Sequence, residues 1–190
     1  GFSSDLAHEL RTPVNNIMGQ TQVALTRTRT ADEYRRVLES NLEELERLSR
    51  MIADMLFLAR ADHAQVTLRA ESVDLRAELD KMAEFYEAHA QDRGVRIVCA
   101  GEGRVAADRL LVQRAVSNLL SNAIRHTPEG EEVRLWTVHD DNSTVTVNVS
   151  NPGLGIAHEH LDRVFDRFYR IDSVRGSAQE GAGLGLAIVR

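Results

Sequence analysis

The N-terminal part of the chain carries apolar residues at spacings of three and four, which is the pattern of an amphipathic helix. Leu6, Leu10 and Val14 begin this stripe, which predicts one helix over about 3–29. Pro13 falls inside that helix, where a proline removes a hydrogen bond and bends the axis at a cost of about 3 kcal/mol. A bend at this cost indicates that the surrounding segment, AHELRTPV, serves something other than helix stability.

A second helix is predicted to begin after Thr30, because Glu33 completes a capping box with it. This helix runs to about Asp62, and its apolar stripe includes Leu38, Leu42, Leu45, Ile52 and Leu56. Two antiparallel helices cannot bury so wide a face alone, so we expect a second copy of the chain to complete a four-helix bundle. The alternative is that the hairpin packs on the chain's own second domain.

Beyond about residue 64 the pattern becomes mixed. Period-two alternation predicts strands in VTLRAESVDL, VRIVCA, EVRLWTVHD and STVTVNVS. Helices are expected over 75–92, 108–125 and 158–164, with another helical start at the end of the chain. This order predicts an α+β protein: a helical hairpin over 1–63, followed over 64–190 by a sandwich of one mixed sheet with helices on one face.

Composition and charge exclude some classes of function and structure. The formal net charge of -6 argues against a nucleic-acid partner. The single cysteine, Cys99, excludes an intramolecular disulfide. The sequence shows no signal peptide and no apolar run near the roughly 18 residues that span a bilayer. Because the chain opens almost directly on a motif and stops in mid-pattern, we expect it to be part of a longer protein whose other segments include any membrane part.

Three side chains on the predicted helix 108–125 suggest a phosphate and metal site. Asn118 and Asn122 lie four residues apart, on one face, and Arg125 follows one turn later. A carboxamide oxygen suits Mg²⁺, and a guanidinium matches phosphate oxygens. The alternative is a polar helix face with two incidental asparagines.

Two glycine-bearing segments follow. In SNPGLGI, Gly153 and Gly155 allow close approach of the backbone to a ligand. In EGAGLGLAIV, Gly181, Gly183 and Gly185 precede a helical start, where free N–H groups attract phosphate. The second segment is neither a Walker loop nor a dinucleotide fingerprint. Between these two segments, the aromatic residues of FDRFYRID are expected to form a small hydrophobic anchor beneath the polar stretch that follows.

The segments HELRTPV, NLLSNAIRHT, NPGLGI, FDRFYR and GAGLGLAIV occur in the order of the H, N, G1, F and G2 boxes. The chain therefore resembles the cytoplasmic catalytic core of a bacterial sensor histidine kinase, with an ATP-binding domain of the type found in gyrase, Hsp90 and MutL. The details NPG and FDRFYRID are most similar to the heavy-metal-sensing (copper or silver) subgroup. By this resemblance the chain is the cytoplasmic portion of an inner-membrane protein.

The resemblance implies ATP-dependent phosphorylation of His8, transfer to an aspartate of a response regulator receiver domain, and phosphatase activity toward that regulator. Glu9 would bond the second ring nitrogen of His8, and Thr12 would place a hydrolytic water. The implied cofactors are ATP and Mg²⁺, with Asn122 as the metal ligand, and the implied assembly is a homodimer through the hairpin. The implied nucleotide contacts are Asn118, Asn122, Arg125, His126, Asn151, Gly153, Gly155, Ile156, Phe168, Gly181, Gly183, Leu184 and Gly185.

One position departs from the family pattern. The first G1 residue is usually an aspartate that accepts a hydrogen bond from adenine, and here it is Asn151, followed by Pro152. An asparagine still offers an acceptor, but an uncharged one. Two further hypotheses remain. The first is an ATPase of the gyrase/Hsp90 type, and the HELRTP segment argues against it. The second is a non-enzymatic dimer module with a decayed ATP site, and Asn122 and the glycines argue against that.

Overall fold

The computed structural model describes residues 2–62, 67–140, 144–171 and 182–190. It contains α1 (Phe2–Leu25), α2 (Ala31–Asp62), β1 (Glu71–Asp74), α3 (Leu75–Asp92), β2 (Arg96–Ala100), β3 (Arg104–Ala107), α4 (Arg109–His126), β4 (Glu132–His139), β5 (Val145–Ser150), α5 (His158–Leu161) and α6 (Gly185–Val189). The predicted α+β class is therefore confirmed. Within the described residues, no helix is both long and apolar enough to cross a membrane.

Helices α1 and α2 form the predicted antiparallel hairpin. Asn16 bonds Glu44 at 3.1 Å and Asn41 bonds Thr21 at 3.0 Å, so the two helices run in opposite directions. The capping box at the start of α2 is confirmed, since the Thr30 backbone N–H donates to Glu33 Oε2 at 2.8 Å and the Glu33 N–H donates to Thr30 Oγ1 at 3.2 Å.

Helix α1 ends earlier than the sequence pattern predicts. The Thr26 hydroxyl donates to the Val23 carbonyl at 2.8 Å, and the Arg29 guanidinium donates to the same oxygen at 3.0 Å. These side chains satisfy a carbonyl that the helix would otherwise use, which ends α1 at Leu25.

The predicted mixed sheet is confirmed, but the described residues of the second part also form a separate two-stranded sheet, which the prediction of a single sheet missed. Strands β2, β4 and β5 form a mixed sheet, parallel between β2 and β4 and antiparallel between β4 and β5. Strands β1 and β3 form a separate antiparallel pair. Strand β3 is absent from the prediction because its sequence, RVAA, is too short to show clear alternation.

The core lies on one face of the three-stranded sheet, where α3 and α4 cover it. Its buried residues include Leu79 from α3, Leu120 and Ile124 from α4, and Val133 and Leu135 from β4. Helix α4 begins with Asp108, whose carboxylate accepts from the N–H groups of Leu110 and Leu111. The helix that carries the predicted N box is thus fixed by its cap and by the core beneath it.

The apolar surface of α2 divides into two faces. Met51, Met55 and Leu58 are buried against the C-terminal segment of the chain. The residues of the predicted stripe are exposed within this chain: Leu38, Leu42, Leu45, Ile52 and Leu56. The hairpin therefore packs on the chain's own second domain, with a different face from the exposed stripe, and the second copy expected on that stripe stays a prediction.

Candidate active site

His8 is exposed on α1 and lines a cleft of about 580 Å³. The hairpin side of the cleft consists of residues 7–9 and Arg11, and the opposite side consists of Arg163 and residues 166–169. Glu9 lines the same cleft, but among the hydrogen bonds of the described residues none joins it to the His8 ring. The predicted role of Glu9 therefore stays a prediction.

Thr12 lies one turn after His8, and its hydroxyl donates to the His8 backbone carbonyl at 3.4 Å. Both residues are exposed, whereas Pro13, the next residue, is fully buried. The structure therefore presents His8 and Thr12 together to solvent, with the proline beneath them.

The N-box residues lie on α4, where a hydrogen bond to the helix backbone fixes the side chain of Asn118. The Asn118 side-chain N–H donates to the Arg114 carbonyl at 3.0 Å, which turns its oxygen outward from the helix. That oxygen lies 3.0 Å from the position that a Cβ would take on Gly185, so the N box and the G2 box meet there. Asn122 and Arg125 follow on the same helix and are half-buried.

The G1 segment lies against the C-terminal end of α4. A Cβ on Gly153 would lie 2.9 Å from the backbone oxygen of His126, so this approach requires glycine. The Asn151 side-chain N–H donates to the Pro152 carbonyl at 3.1 Å, which leaves the carboxamide oxygen of Asn151 as the outward acceptor. Gly155, at φ +72°, and Ile156 follow and are exposed.

The F and G2 segments are joined by their backbones. The Phe168 N–H donates to the Gly183 carbonyl at 2.9 Å, and a Cβ on Gly183 would lie 2.9 Å from the carbonyl oxygen of Tyr169. Gly183 has φ +69°, a region that favours glycine. Gly181, predicted to contact nucleotide, lies outside the described residues.

Two residues predicted to contact nucleotide also face the hairpin. Leu184, at 2% exposure, is buried with Met51, Met55 and Leu58 of α2, and Phe168 packs against the same cluster. This contact between the G2 segment and α2 is absent from the sequence prediction. The broad spread of apolar positions on α2 is the signal that could have suggested a second packing face.

Arg114 and Arg163 are absent from the predicted site residues, and Tyr169 was predicted only as part of the hydrophobic anchor in FDRFYRID. Arg114 precedes Asn118 by one turn of α4 and reaches α2. The Tyr169 hydroxyl lies 2.7 Å from His160 Nδ1, and the Arg163 guanidinium stacks on the Tyr169 ring at 4.2 Å. No motif marks these contacts, because they join segments that are distant along the chain or belong to irregular backbone.

An ion pair adjoins the His8 cleft. The Arg167 guanidinium donates two hydrogen bonds to the Asp62 carboxylate, at 2.8 and 2.6 Å. These bonds, together with the negative charge of Asp62, raise the pKa of Arg167 above its ordinary value despite partial burial. Arg167 therefore links the F segment to the end of α2 while one side of it faces the cleft.

Asn118 and Asn122 supply the carboxamide oxygens that the sequence predicts for a phosphate and magnesium site, and both are half-buried on α4. Asn118 has its nitrogen committed to the helix backbone, and its oxygen lies 3.0 Å from the position that a Cβ would take on Gly185, so a glycine at 185 lets that oxygen keep its place. Amide oxygens of this kind are ligands that Mg²⁺ accepts together with water and substrate phosphates.

Comparison with known proteins identifies two domains in this order. The family described as His Kinase A (phospho-acceptor) domain matches residues 1–64. The family described as histidine kinase-, DNA gyrase B-, and HSP90-like ATPase matches residues 107–190. The first contains His8, and the second contains the N, G1, F and G2 segments.

Individual relatives match along the whole chain. Sensor protein IrlS of Burkholderia pseudomallei is 50% identical over 189 residues, covering 100% of this chain and 40% of IrlS. Sensor histidine kinase CusS of Escherichia coli K12 is 50% identical over 192 residues, covering 100% of this chain and 39% of CusS. This chain thus spans about two fifths of the length of these relatives.

A solved structure supports the fold. The histidine kinase AdeS of Acinetobacter baumannii superposes with a TM-score of 0.76 at 24% identity, covering 96% of this chain and 83% of AdeS. Together, the two family matches and the similarity to IrlS and CusS along the whole of this chain show that it carries the phospho-acceptor and ATP-binding domains found in sensor histidine kinases.

Proposed function

We propose that this chain is the catalytic core of a sensor histidine kinase that phosphorylates His8 with ATP and passes the phosphoryl group to an aspartate of a response regulator receiver domain. The observation that carries the proposal is the exposed His8 side chain in a cleft whose other wall is the F segment of the ATP-binding domain. A structural histidine needs no such cleft, whereas a phosphoacceptor must be open to a phosphoryl donor.

In the proposed reaction, a ring nitrogen of His8 attacks the γ-phosphorus of ATP. A nitrogen–phosphorus bond forms as the bond to the β,γ-bridging oxygen breaks, and ADP leaves with that electron pair. Phosphoryl transfer of this kind depends on positioning and charge neutralisation. Bound Mg²⁺ would supply part of that neutralisation, with Asn122 as its protein ligand.

The remaining side chains have positioning roles in this proposal. The outward oxygen of Asn151 would accept from the adenine amino group. Arg125 and Asn118 would contact phosphate oxygens. The close approach of Gly153 to α4 would shape the floor of the adenine pocket near Asn151. Glu9 would hold the second ring nitrogen of His8, fix its tautomer and take up the developing positive charge.

The gyrase/Hsp90-type ATPase remains the second candidate. The geometry of the ATP-binding part agrees with either function, because both use the same glycine-bearing segments. The hairpin distinguishes them, since residues 1–64 match a phospho-acceptor domain. The decayed, non-enzymatic module is disfavoured by the close backbone approaches at Gly153 and Gly183 and by the side chain of Asn118 against Gly185, which keep the glycine-bearing segments packed on one another and on α4.

We also propose a homodimer that covers the exposed face of α2. Leu38 is 68% exposed and Leu45 is 50% exposed within one chain. Burial of such side chains contributes roughly 1.5–3 kcal/mol each. Light scattering at micromolar concentration should give twice the chain mass, and a monomer there would contradict this assembly.

Attachment to the inner membrane would occur through segments outside this chain, which would then be the cytoplasmic portion. The proposal rests on the family and on the share of the relatives' length that this chain spans. We assign the chain to the heavy-metal-sensing subgroup on the strength of NPG and FDRFYRID. Copper and silver are the stimuli this implies for the complete protein.

Incubation with γ-labelled ATP and Mg²⁺ tests the proposed function. A phosphohistidine label is stable in alkali and is lost in acid, and a receiver domain should remove it. Phosphate release from ATP without a protein-bound label would instead favour the gyrase/Hsp90-type ATPase. Absence of ATP binding would favour the decayed module.

A further inference from the structure

Three arginines and two carboxylates line the cleft that contains the exposed His8 side chain. The arginines are Arg11, Arg163 and Arg167, and the carboxylates are Glu9 and Asp166. Positive side chains therefore outnumber negative ones in this cleft. The bonds that each arginine already makes decide which of them can bind an anion there.

Arg167 is committed to the hairpin. Its guanidinium donates two hydrogen bonds to the Asp62 carboxylate, at 2.8 and 2.6 Å, and the negative charge of Asp62 balances its own. Arg167 therefore adds little net charge to the cleft that it lines.

Arg163 is held in place but keeps its hydrogen-bond donors. Its guanidinium stacks on the Tyr169 ring at 4.2 Å, and the Tyr169 hydroxyl lies 2.7 Å from His160 Nδ1, which fixes the ring. The Arg163 Nε atom lies 3.9 Å from Asp166 Oδ2, too far for a hydrogen bond. Within the part of the chain that the structure describes, the Arg163 side chain makes no hydrogen bond, so its donors are available to a ligand.

Arg11 supplies the corresponding donors on the hairpin side of the cleft. It lies three residues after His8 on α1, hence on the same face of the helix, and it is exposed. Among the contacts of the described residues, none is a hydrogen bond or ion pair of the Arg11 guanidinium. Each wall of the cleft thus carries a guanidinium with free donors.

A phosphoryl group on a ring nitrogen of His8 is the anion that these two arginines would meet. Such a group carries about two negative charges near pH 7 and offers three acceptor oxygens. A guanidinium binds phosphoryl oxygens through two parallel N–H donors, a geometry that lysine lacks. The cleft, at about 580 Å³, has room for the group beside His8.

We propose that Arg163 and Arg11 bind the phosphoryl group carried by His8, and that this phosphohistidine site slows hydrolysis of the nitrogen–phosphorus bond. The inference rests on the proposed function, which puts the phosphoryl group on His8. It goes beyond that function because it gives Arg163, a residue of the ATP-binding domain, a role after ATP has reacted.

The charges in the cleft act on the first step of hydrolysis. The phosphorylated ring first gains a proton, which is why phosphohistidine is labile in acid. The oxygen of a water then bonds to phosphorus as the nitrogen–phosphorus bond breaks, and the bonding pair stays on the ring nitrogen. Neutral His8 and dihydrogen phosphate result.

The positive charges of Arg11 and Arg163 oppose the added proton, whereas the negative charges of Glu9 and Asp166 favour it. Arg167, balanced by Asp62, has little effect. Loss of Arg163 should therefore speed hydrolysis, and loss of the Asp166 charge should slow it.

The test uses potassium phosphoramidate, which phosphorylates histidine without ATP and so labels the chain independently of any kinase activity. Peptide mapping follows the loss of phosphate from His8 at pH 7 and, in the same sample, from His89, an exposed histidine on α3 outside the cleft. In wild type, the label on His8 should outlast that on His89. Arg163→Gln should shorten the lifetime at His8 about two- to tenfold, as expected for loss of an exposed contact to a doubly charged group, and leave that at His89 unchanged.

Further variants separate charge from packing. Arg163→Lys should lie between wild type and Arg163→Gln, because it keeps the charge but loses the fork and the stack. Asp166→Asn should lengthen the lifetime at His8. High salt should shorten the wild-type lifetime toward that of Arg163→Gln, since it screens exposed charges. Arg96→Gln, whose exposed ion pair with Glu132 lies outside the cleft, is the matched control and should behave as wild type.

Equal lifetimes of the His8 label in wild type and Arg163→Gln would overturn the proposal. A shorter lifetime in both Arg163→Gln and Asp166→Asn would also overturn it, because disturbance of the segment would then be the cause. If ATP fails to label His8 while the phosphoramidate label responds as predicted, the proposed function fails and the phosphoryl site stands. If ATP labels His8 and the lifetimes do not respond, only the phosphoryl site fails.

Discussion

The side-chain oxygen of Asn118 lies 3.0 Å from the position that a Cβ would occupy on Gly185. These residues are distant along the chain, and their contact brings together the N and G2 segments, which are predicted to bind nucleotide. The gap is tighter than an ordinary contact, so any side chain at Gly185 must displace the carboxamide of Asn118.

Gly185→Ala should therefore weaken ATP binding by about 1–3 kcal/mol, the usual cost of forcing an extra carbon into a packed site. Calorimetric titration with ATP measures the change. Gly19→Ala is the matched control, because Gly19 lies in α1 with nothing within 4 Å of its Cβ position, and that variant should bind ATP normally. Equal ATP affinity in wild type and Gly185→Ala would show that the two segments separate when nucleotide binds.

Asn151 should recognise adenine by accepting a hydrogen bond from its amino group through the outward carboxamide oxygen. Its amide nitrogen is already satisfied by the Pro152 carbonyl at 3.1 Å. Asn151→Ala should lose roughly 1–3 kcal/mol of ATP affinity, the cost of leaving the amino group of the bound adenine without its acceptor. The variant should also discriminate less against GTP. Asn151→Asp should hold or tighten ATP binding, since a charged acceptor is about twice as strong. Calorimetry with both nucleotides decides this, and unchanged ATP affinity in the alanine variant would remove Asn151 from the site.

Thr12 should separate the two activities toward the response regulator. Its hydroxyl lies one turn from His8 and can orient a water, but no step of ATP binding needs it. Thr12→Ala should keep autophosphorylation and lose most dephosphorylation of the receiver domain, measured as release of phosphate from the labelled regulator.

Thr12→Ser provides the control for that variant. It keeps the hydroxyl that bonds the His8 carbonyl and can orient a water. It should change neither activity. A parallel fall of both activities in Thr12→Ala would mean that the substitution disturbs α1 instead of removing a water ligand.

Glu78 should stabilise the ATP-binding domain in a pH-dependent way. Burial raises the pKa of its carboxyl, but hydrogen bonds from Gln113 and Lys81 and the charges of Lys81 and Arg109 outweigh burial, so the pKa lies below its ordinary value of 4.5. The stabilisation is thus complete above the unfolded-state pKa and is lost as the pH falls through the lower folded-state pKa.

Urea unfolding checks this prediction. At pH 7, Glu78→Gln should lower the free energy of unfolding by about 1–3 kcal/mol, because charge-assisted bonds to Arg109 and Lys81 are lost. The difference should shrink as the pH falls below 4.5. Glu84→Gln, an exposed residue on the same helix, should behave as wild type throughout. A deficit in Glu78→Gln that does not change with pH would point to packing as its cause.

Local patterns predicted the fold well where one element carries its own signals. The capping box of Thr30 and Glu33 marks the start of α2, and the helix over 75–92 matches α3. Strand β3 escaped prediction because its only support is pairing with β1, a contact between segments distant along the chain. Short strands of this kind gain their stability from the partner and leave little periodicity in the sequence.

In the candidate site, too, local motifs were predictable and contacts between distant segments were not. The motif residues Asn118, Gly153 and Gly185 were identifiable because their chemistry and spacing are local, and the structure adds the contact of Asn118 with Gly185 and that of Gly153 with the His126 backbone. The burial of Leu184 against α2 and the reach of Arg114 to Asp54 were not predictable, since each depends on how two separately patterned parts meet.

The most direct test of the account is the location of the phosphoryl group after incubation with γ-labelled ATP and Mg²⁺. Wild type should carry an acid-labile, alkali-stable label that peptide mapping places on His8, and His8→Gln should carry none. His89→Gln, which replaces an exposed histidine on α3, should be labelled like wild type. Full labelling of His8→Gln, or an acid-stable label on wild type, would contradict the central claim that His8 is the phosphoacceptor.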